Sequence, residues 1–275
     1  MIPKFSNKKM EKNPTSSLSL LSLLLFILLP NNLNAQPYTN ISLGTTFTPL
    51  TPPKLSPSGD FAFGFRPLET NASLFLLAVW FNKIPSKTVV WTANRDTPVT
   101  NQSTAELTLA GQLSLKDPTG QEIWKTDLTD TAAYASMLDT GNFILAGADS
   151  GAVWESFGNP TDTILPGQVL SQPSTLYAKL MDDDYSTGRF EFTLQEDGNL
   201  VMYPVAYPTK NWYVAYWALM STGSGIHLVF NESTGSLYLS LANNSRVPVL
   251  HEPGVTGENY LRATLDPDGV FRFDL

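Results

Sequence analysis

The string QEDGNLVMY sets Gln195, Asp197, Asn199, Val201 and Tyr203 at every second position. In an extended chain alternate side chains share a side, so these five would form one face while Leu200 and Met202 turn to the core. The chemistry open to such a face is recognition of a polyhydroxyl compound. The amides of Gln195 and Asn199 donate and accept, and an ionised Asp197 accepts strongly. Val201 would offer apolar surface to ring carbons, and Tyr203 a phenol to one further hydroxyl. The same letters also have a structural reading. Asp-Gly-Asn is an ordinary hairpin turn, and Asp197-Gly198 can bend the chain. Spacing alone leaves both readings open.

Other chemistry is poorly supported. His227 and His251 are the two histidines, and neither stands in a nucleophile or metal-ligand spacing. DPDG (Asp266–Gly269) lacks the remainder of a calcium loop, and MDDDY (Met181–Tyr185) reads as a solvated acidic loop. The chain contains no cysteine, which removes thiol catalysis and cysteine metal sites and leaves the fold to its core. No glycine-rich phosphate loop or kinase catalytic string occurs, and no base, nucleophile and orienting group can be assembled. The expectation is a chain that binds without catalysis, with no metal and no cofactor.

The elements that must position the face are strands. Beyond residue 35 the chain runs in short apolar alternations such as FAFGF, LFLLAVWF, TVVWTA, RFEFTLQ and SLYLSL, broken by Gly, Asn, Asp and Pro. That pattern predicts an all-β fold without substantial helix. A repeat underlies it. GQLSLKDPTGQEIW and GNFILAGADSGAVW each place Trp thirteen residues after Gly, at Gly111 to Trp124 and Gly141 to Trp154. GNLVMY, GSLYL and GVFRF follow at Gly198, Gly235 and Gly269. Recurrence near thirty residues implies one small sheet per repeat, several sharing a core that Trp would fill. The polar face survives once. Its counterparts are Leu138, Thr140, Asn142, Ile144 and Ala146 around Gly141, and Thr108, Ala110, Gln112, Ser114 and Lys116 around Gly111. Near Gly235 and Gly269 the ligand types are likewise mostly lost.

Residues 1–35 have the layout of a secretory signal peptide. Four lysines precede the run LSLLSLLLFILL, and Ala35 follows as the cleavage position. The apolar run is too short to span a bilayer. Removing the segment takes away those four lysines and Glu11, so 17 basic and 25 acidic residues become 13 and 24, a formal charge of −11. Such a charge disfavours nucleic acid and anionic membranes as partners. Sequons at Asn40, Asn71, Asn101, Asn231 and Asn243 fit an extracellular glycoprotein.

Four strings carry a resemblance: GDFAFGF (Gly59–Phe65), VVWTANRDTPV (Val89–Val99), LDTGNFIL (Leu138–Leu145) and VWESFGNPTDTILPGQ (Val153–Gln168). In this order they resemble the bulb-type lectin portion of plant S-domain (G-type lectin) receptor-like kinases, and YLRATLDPDGVFRF (Tyr260–Phe273) resembles the end of a second lectin domain. The resemblance implies tandem β-prism II domains at 36–158 and 159–275, each of three four-stranded sheets with pseudo-threefold symmetry. It also implies that Gln195, Asp197, Asn199, Val201 and Tyr203 form a mannose site of the pattern Q-x-D-x-N-x-V-x-Y. The expected partner is a mannose-type glycan or glycoprotein, with a receptor partner or a second copy alongside it; the rival is a non-catalytic module that binds a protein or lipid-derived ligand, with sugar binding lost.

Overall fold

The computed structural model describes residues 40–250 and 260–274. The signal-peptide reading of residues 1–35 and His251 lie outside them. Among the described residues the structure is built of β-strands in six antiparallel sheets, with a single 3₁₀ turn at Ser156–Gly158 as its helical element. None of its helices is long and apolar enough to cross a membrane.

The punctuating glycines explain why the strands are short. Asp-Gly or its equivalent recurs as the same tight reversal: the amide of Gly111 donates to Thr108, that of Gly141 to Leu138, that of Gly198 to Gln195 and that of Gly269 to Asp266. Each of these glycines has φ near +80°, a left-handed conformation in which a side chain is strained. The Gly235 reversal is one residue longer, since Asn231 pairs with Ser236, so its register is offset from the other four. Every reversal returns the chain antiparallel to itself, which fixes which side chains face inward.

Two sets of three sheets result. The first set holds sheets of four, four and five strands, the second of three, four and four. The five-stranded sheet departs from the expected four because Leu74–Phe81 is eight residues long and outreaches its partner Val89–Thr92. The short strand Val99–Thr100 pairs with the protruding end, Leu74 and Phe75. In each set an early strand closes onto a late hairpin: Ile41 pairs with Ala135, and Thr163 with Thr264.

Each set has its own core. Phe47, Phe63, Phe143, Leu113 and Leu145 anchor the first; Phe192, Phe230, Leu237 and Leu265 anchor the second. At one end of the first core Trp91, Trp124 and Trp154 meet edge to face, one from each sheet. Their centroids are 5.8, 5.7 and 5.9 Å apart and their planes 70°, 73° and 74° from one another. Near-equal distances and angles are what a threefold arrangement of sheets gives.

The junction between the two cores is packed rather than loose. Phe157 and Leu165 join the first core while Ile164 joins the second. Trp91 donates its indole N–H to the carbonyl of Asn159 at 2.7 Å. Across the junction Arg95 donates from Nε, Nη1 and Nη2 to the carbonyls of Tyr185, Tyr177 and Ala178, at 2.8, 2.8 and 3.1 Å. Asp96 accepts from the backbone and hydroxyl of Thr187. Tyr185 itself packs against Ala62, Leu76, Ala78 and Trp80.

Candidate functional site

The opening string is not one straight strand. Asp184–Leu194 ends just before Gln195, Glu196 to Gly198 make the turn, and Leu200–Pro204 runs back, pairing Leu194 with Leu200 and Glu191 with Tyr203. Because the ladder continues through the turn (the amide of Gln195 donates to the carbonyl of Asn199), Glu191, Thr193, Gln195, Asn199, Val201 and Tyr203 share one face. Leu200 and Met202 face the opposite way, into the second core, as the alternation requires.

Within this face Gln195 and Tyr203 meet directly, the amide Nε2 donating to the phenol oxygen at 3.0 Å. Asp197 uses one carboxylate oxygen to cap its own turn, accepting the Asn199 amide at 2.9 Å; Oδ2 has no partner among the described residues. Asn199 is divided in the same way. Its Oδ1 accepts the backbone N–H of Ser221 at 3.0 Å, and the Ser221 hydroxyl donates to Gly198 while accepting from Leu200. Its Nδ2 is unpartnered among the described residues.

Val201 departs from expectation. It is only 2% exposed, so it does not present an open apolar surface. It sits in the ladder between Thr193 and Ala218, and the chain that follows returns over this region, the amides of Tyr216 and Tyr213 donating to Met202 and Pro204. The structure therefore brings Gln195, Asp197, Asn199 and Tyr203 together at the surface and leaves Val201 beneath them as packing.

Three participants were not singled out from sequence. Trp212 stacks on Tyr203, centroids 4.8 Å apart and planes 8° from parallel. Glu191, 9% exposed, accepts the Trp212 indole N–H at 2.6 Å. Ser221 holds Asn199. Glu191 could have been found by carrying the two-residue period back past Gln195; Trp212 and Ser221 lie beyond a loop with no period to follow.

Burial pushes the Glu191 carboxyl above its ordinary value, partly opposed by the Trp212 hydrogen bond and the charge of Lys210. A folded state that holds this proton more tightly than the unfolded chain is stabilised at low pH. That contribution is lost as pH rises through the raised value. Melting curves across mildly acidic pH are expected to show it, and Glu191→Gln, which keeps an acceptor for Trp212, should flatten the dependence and melt higher than the parent on the alkaline side. An unchanged profile would contradict this.

The repeats show what the face looks like without a polar vacancy. Around Gly141, Asn142 is engaged at both ends of its amide: Nδ2 donates to Glu155 at 2.8 Å, and Oδ1 accepts from the Ser156 hydroxyl and the Phe157 amide. Around Gly111, Gln112 donates to the carbonyl of Thr126. Around Gly269, Arg272 occupies the carboxylates of Asp266 and Asp268, at 2.5 and 2.8 Å. No group of three or more His, Asp or Glu among the described residues could hold a metal ion. Of the sequon asparagines, Asn40, Asn71, Asn101 and Asn243 are exposed and Asn231 is half-buried.

Residues 88–181 match the family model for D-mannose binding lectin, a stretch that includes the junction between the two cores. The chain is 50% identical over 264 residues to the G-type lectin S-receptor-like serine/threonine-protein kinase LECRK3 of Oryza sativa subsp. indica, covering 92% of this chain and 32% of the relative. It is 39% identical over 208 residues to the kinase RLK1 of Arabidopsis thaliana, covering 70% of this chain and 25% of the relative. Among solved structures, the snowdrop mannose-specific agglutinin complexed with methyl-α-D-mannoside aligns at TM-score 0.29 and 23% identity, over 41% of this chain and 88% of its own. The two-domain Scilla campanulata fetuin-binding agglutinin aligns over 86% of this chain and 94% of its own, at TM-score 0.27 and 15% identity. Both alignments are weak, and the fold stands on the strands themselves. The chain belongs to the bulb-type lectin group of the G-type lectin S-receptor-like kinases, of whose length it spans about one third.

Proposed function

We propose that this chain is a non-catalytic carbohydrate-recognition module whose mannose site is formed by Gln195, Asp197, Asn199 and Tyr203, and that its ligand is a mannose-type glycan presented outside the cell. The observation that carries the reading is the divided use of Asn199. One half of its amide anchors the turn through Ser221, while the other half and the second oxygen of Asp197 stand without partners among the described residues. In the Gly141 repeat the same position is closed by Glu155 and Ser156. Two adjacent sugar hydroxyls, each donor and acceptor, match an amide N–H beside a carboxylate oxygen. No metal is needed for that match. Domains at 36–158 and 159–275 put this site in the second. One mannose site per chain gives weak binding to that sugar, about −4 kcal/mol at millimolar affinity, so useful avidity for mannose requires clustering of chains or of glycans.

The divided amide dictates the test. Asn199→Asp keeps the oxygen that receives Ser221 and removes the two N–H donors. It is expected to abolish retention on a mannose matrix while leaving the melting midpoint within about 1 °C, a shift worth about 0.5 kcal/mol for a chain this size. Retention equal to that of the parent would refute the site. A rival reading, a protein-interaction module without sugar binding, is favoured by the exposed Tyr207, Tyr213, Val214 and Met220 flanking the face. It would stand if parent and variant both fail to bind the matrix.

A further inference from the structure

A cavity of about 650 Å³ lies at the junction of the two cores, walled on one side by Trp124 and Trp154 and on the other by Tyr177, Glu191, Lys210 and Trp212. A second hollow, of about 470 Å³, adjoins it and shares Asp96, Tyr177, Thr187, Glu191 and Lys210. The volume falls within the range of small-molecule sites, roughly 300–1,000 Å³. We infer that this cleft is a second ligand site, for a neutral oligosaccharide with flat, equatorially substituted rings, which shares Trp212 and Glu191 with the Tyr203 face but does not use Asn199.

Three features lead there. The walls are aromatic and reachable: Tyr177 is 38% exposed and Trp212 55%, although one face of Trp212 is taken by Tyr203. Indole and phenol faces carry partial negative charge and attract the C–H groups of a sugar ring whose hydroxyls lie in its plane. Charge then excludes ionic ligands. Arg95, Lys125 and Lys210 are matched by Asp96, Asp127 and Glu191, so the lining has no net sign. Most of these groups are already committed. Arg95 serves three carbonyls, Asp96 serves Thr187, Lys125 pairs with Glu122 at 2.9 Å and Glu191 receives Trp212. A phosphate or uronate would find no unpaired cationic set. Finally, the walls are held in place. Arg95 and Asp96 bind the backbone of the opposite wall, and Trp91 binds Asn159, so the cleft needs no ordering when a ligand enters.

The test titrates the purified chain with cellotriose, mannotriose and oligogalacturonate, following tryptophan emission and heat. Cellotriose is expected to bind, to perturb emission, and to bind Asn199→Asp with unchanged affinity. Tyr177→Ala and Trp212→Ala should each weaken it about tenfold or more, as removal of an aromatic anchor does. Tyr177→Phe should restore most of the affinity, which separates loss of the ring from any loss of folding. Absence of a cellotriose response up to about 10 mM, where even millimolar binding is visible, would overturn the inference. So would equal loss in Asn199→Asp, or tighter binding of oligogalacturonate. Failure of the mannose site leaves cellotriose binding by the cleft untouched, because Asn199 does not line it.

Discussion

Phe143→Ala is expected to lower stability by about 3–5 kcal/mol, the usual cost of emptying a buried phenylalanine site. Phe143 is fully buried, and its ring lies on Phe63 with centroids 3.7 Å apart and planes 15° from parallel; Phe63 in turn meets Phe47 edge to face at 5.8 Å. The residue sits in the strand Phe143–Ala146, between Tyr134–Met137 and Ala152–Glu155, so the backbone cannot collapse into the space without breaking two ladders. No disulfide backs up this core. The melting midpoint should fall by roughly 10 °C, whereas Phe143→Leu, which keeps most of the volume, should cost far less. A midpoint within about 1 °C of the parent, under 0.5 kcal/mol, would contradict the packing described.

Gly198→Ala should have the largest effect on recognition. Gly198 has φ +80°, which alone costs a side-chain-bearing residue about 1–2 kcal/mol. A Cβ there would also stand 2.7 Å from the carbonyl oxygen of Gly225 and 2.9 Å from its nitrogen, both main-chain atoms. The turn must therefore shift, carrying Asp197 and Asn199 with it and loosening the Ser221 anchor. Mannose retention should vanish, and stability should fall by more than the conformational cost alone. Gly120→Ala is the control: φ is +88°, yet nothing lies within 4 Å of its Cβ. It should show the conformational cost and no change in sugar binding. Equal stability loss in the two variants would mean that contact with Gly225 does not hold the turn.

The all-β character was legible because short alternations and turn residues speak locally, and the five glycine reversals follow from a repeat visible in the letters. The face of Gln195, Asn199 and Tyr203 was legible because a two-residue period survives a tight hairpin. Three things were not. Val201 looked open from its spacing, but burial depends on strands that flank it, Ala218 among them, seventeen positions away. Arg95 lies in a recognisable string, yet its three partners are main-chain carbonyls more than eighty residues on, which carry no side-chain signature. The double duty of Asn199 was hidden because Ser221 reaches it across the irregular segment between Pro204 and Trp217, where no period guides register.

The central claim is that the Asn199 turn receives a mannose-type sugar directly, and amide NMR during titration with methyl-α-D-mannoside tests it most directly. Saturable shifts confined to Gln195, Asp197, Asn199, Tyr203 and their turn are expected, at millimolar midpoint, unaltered by a chelator and absent in Asn199→Asp. No shift in that turn at about 100 mM sugar, a hundred times a millimolar Kd, would contradict it.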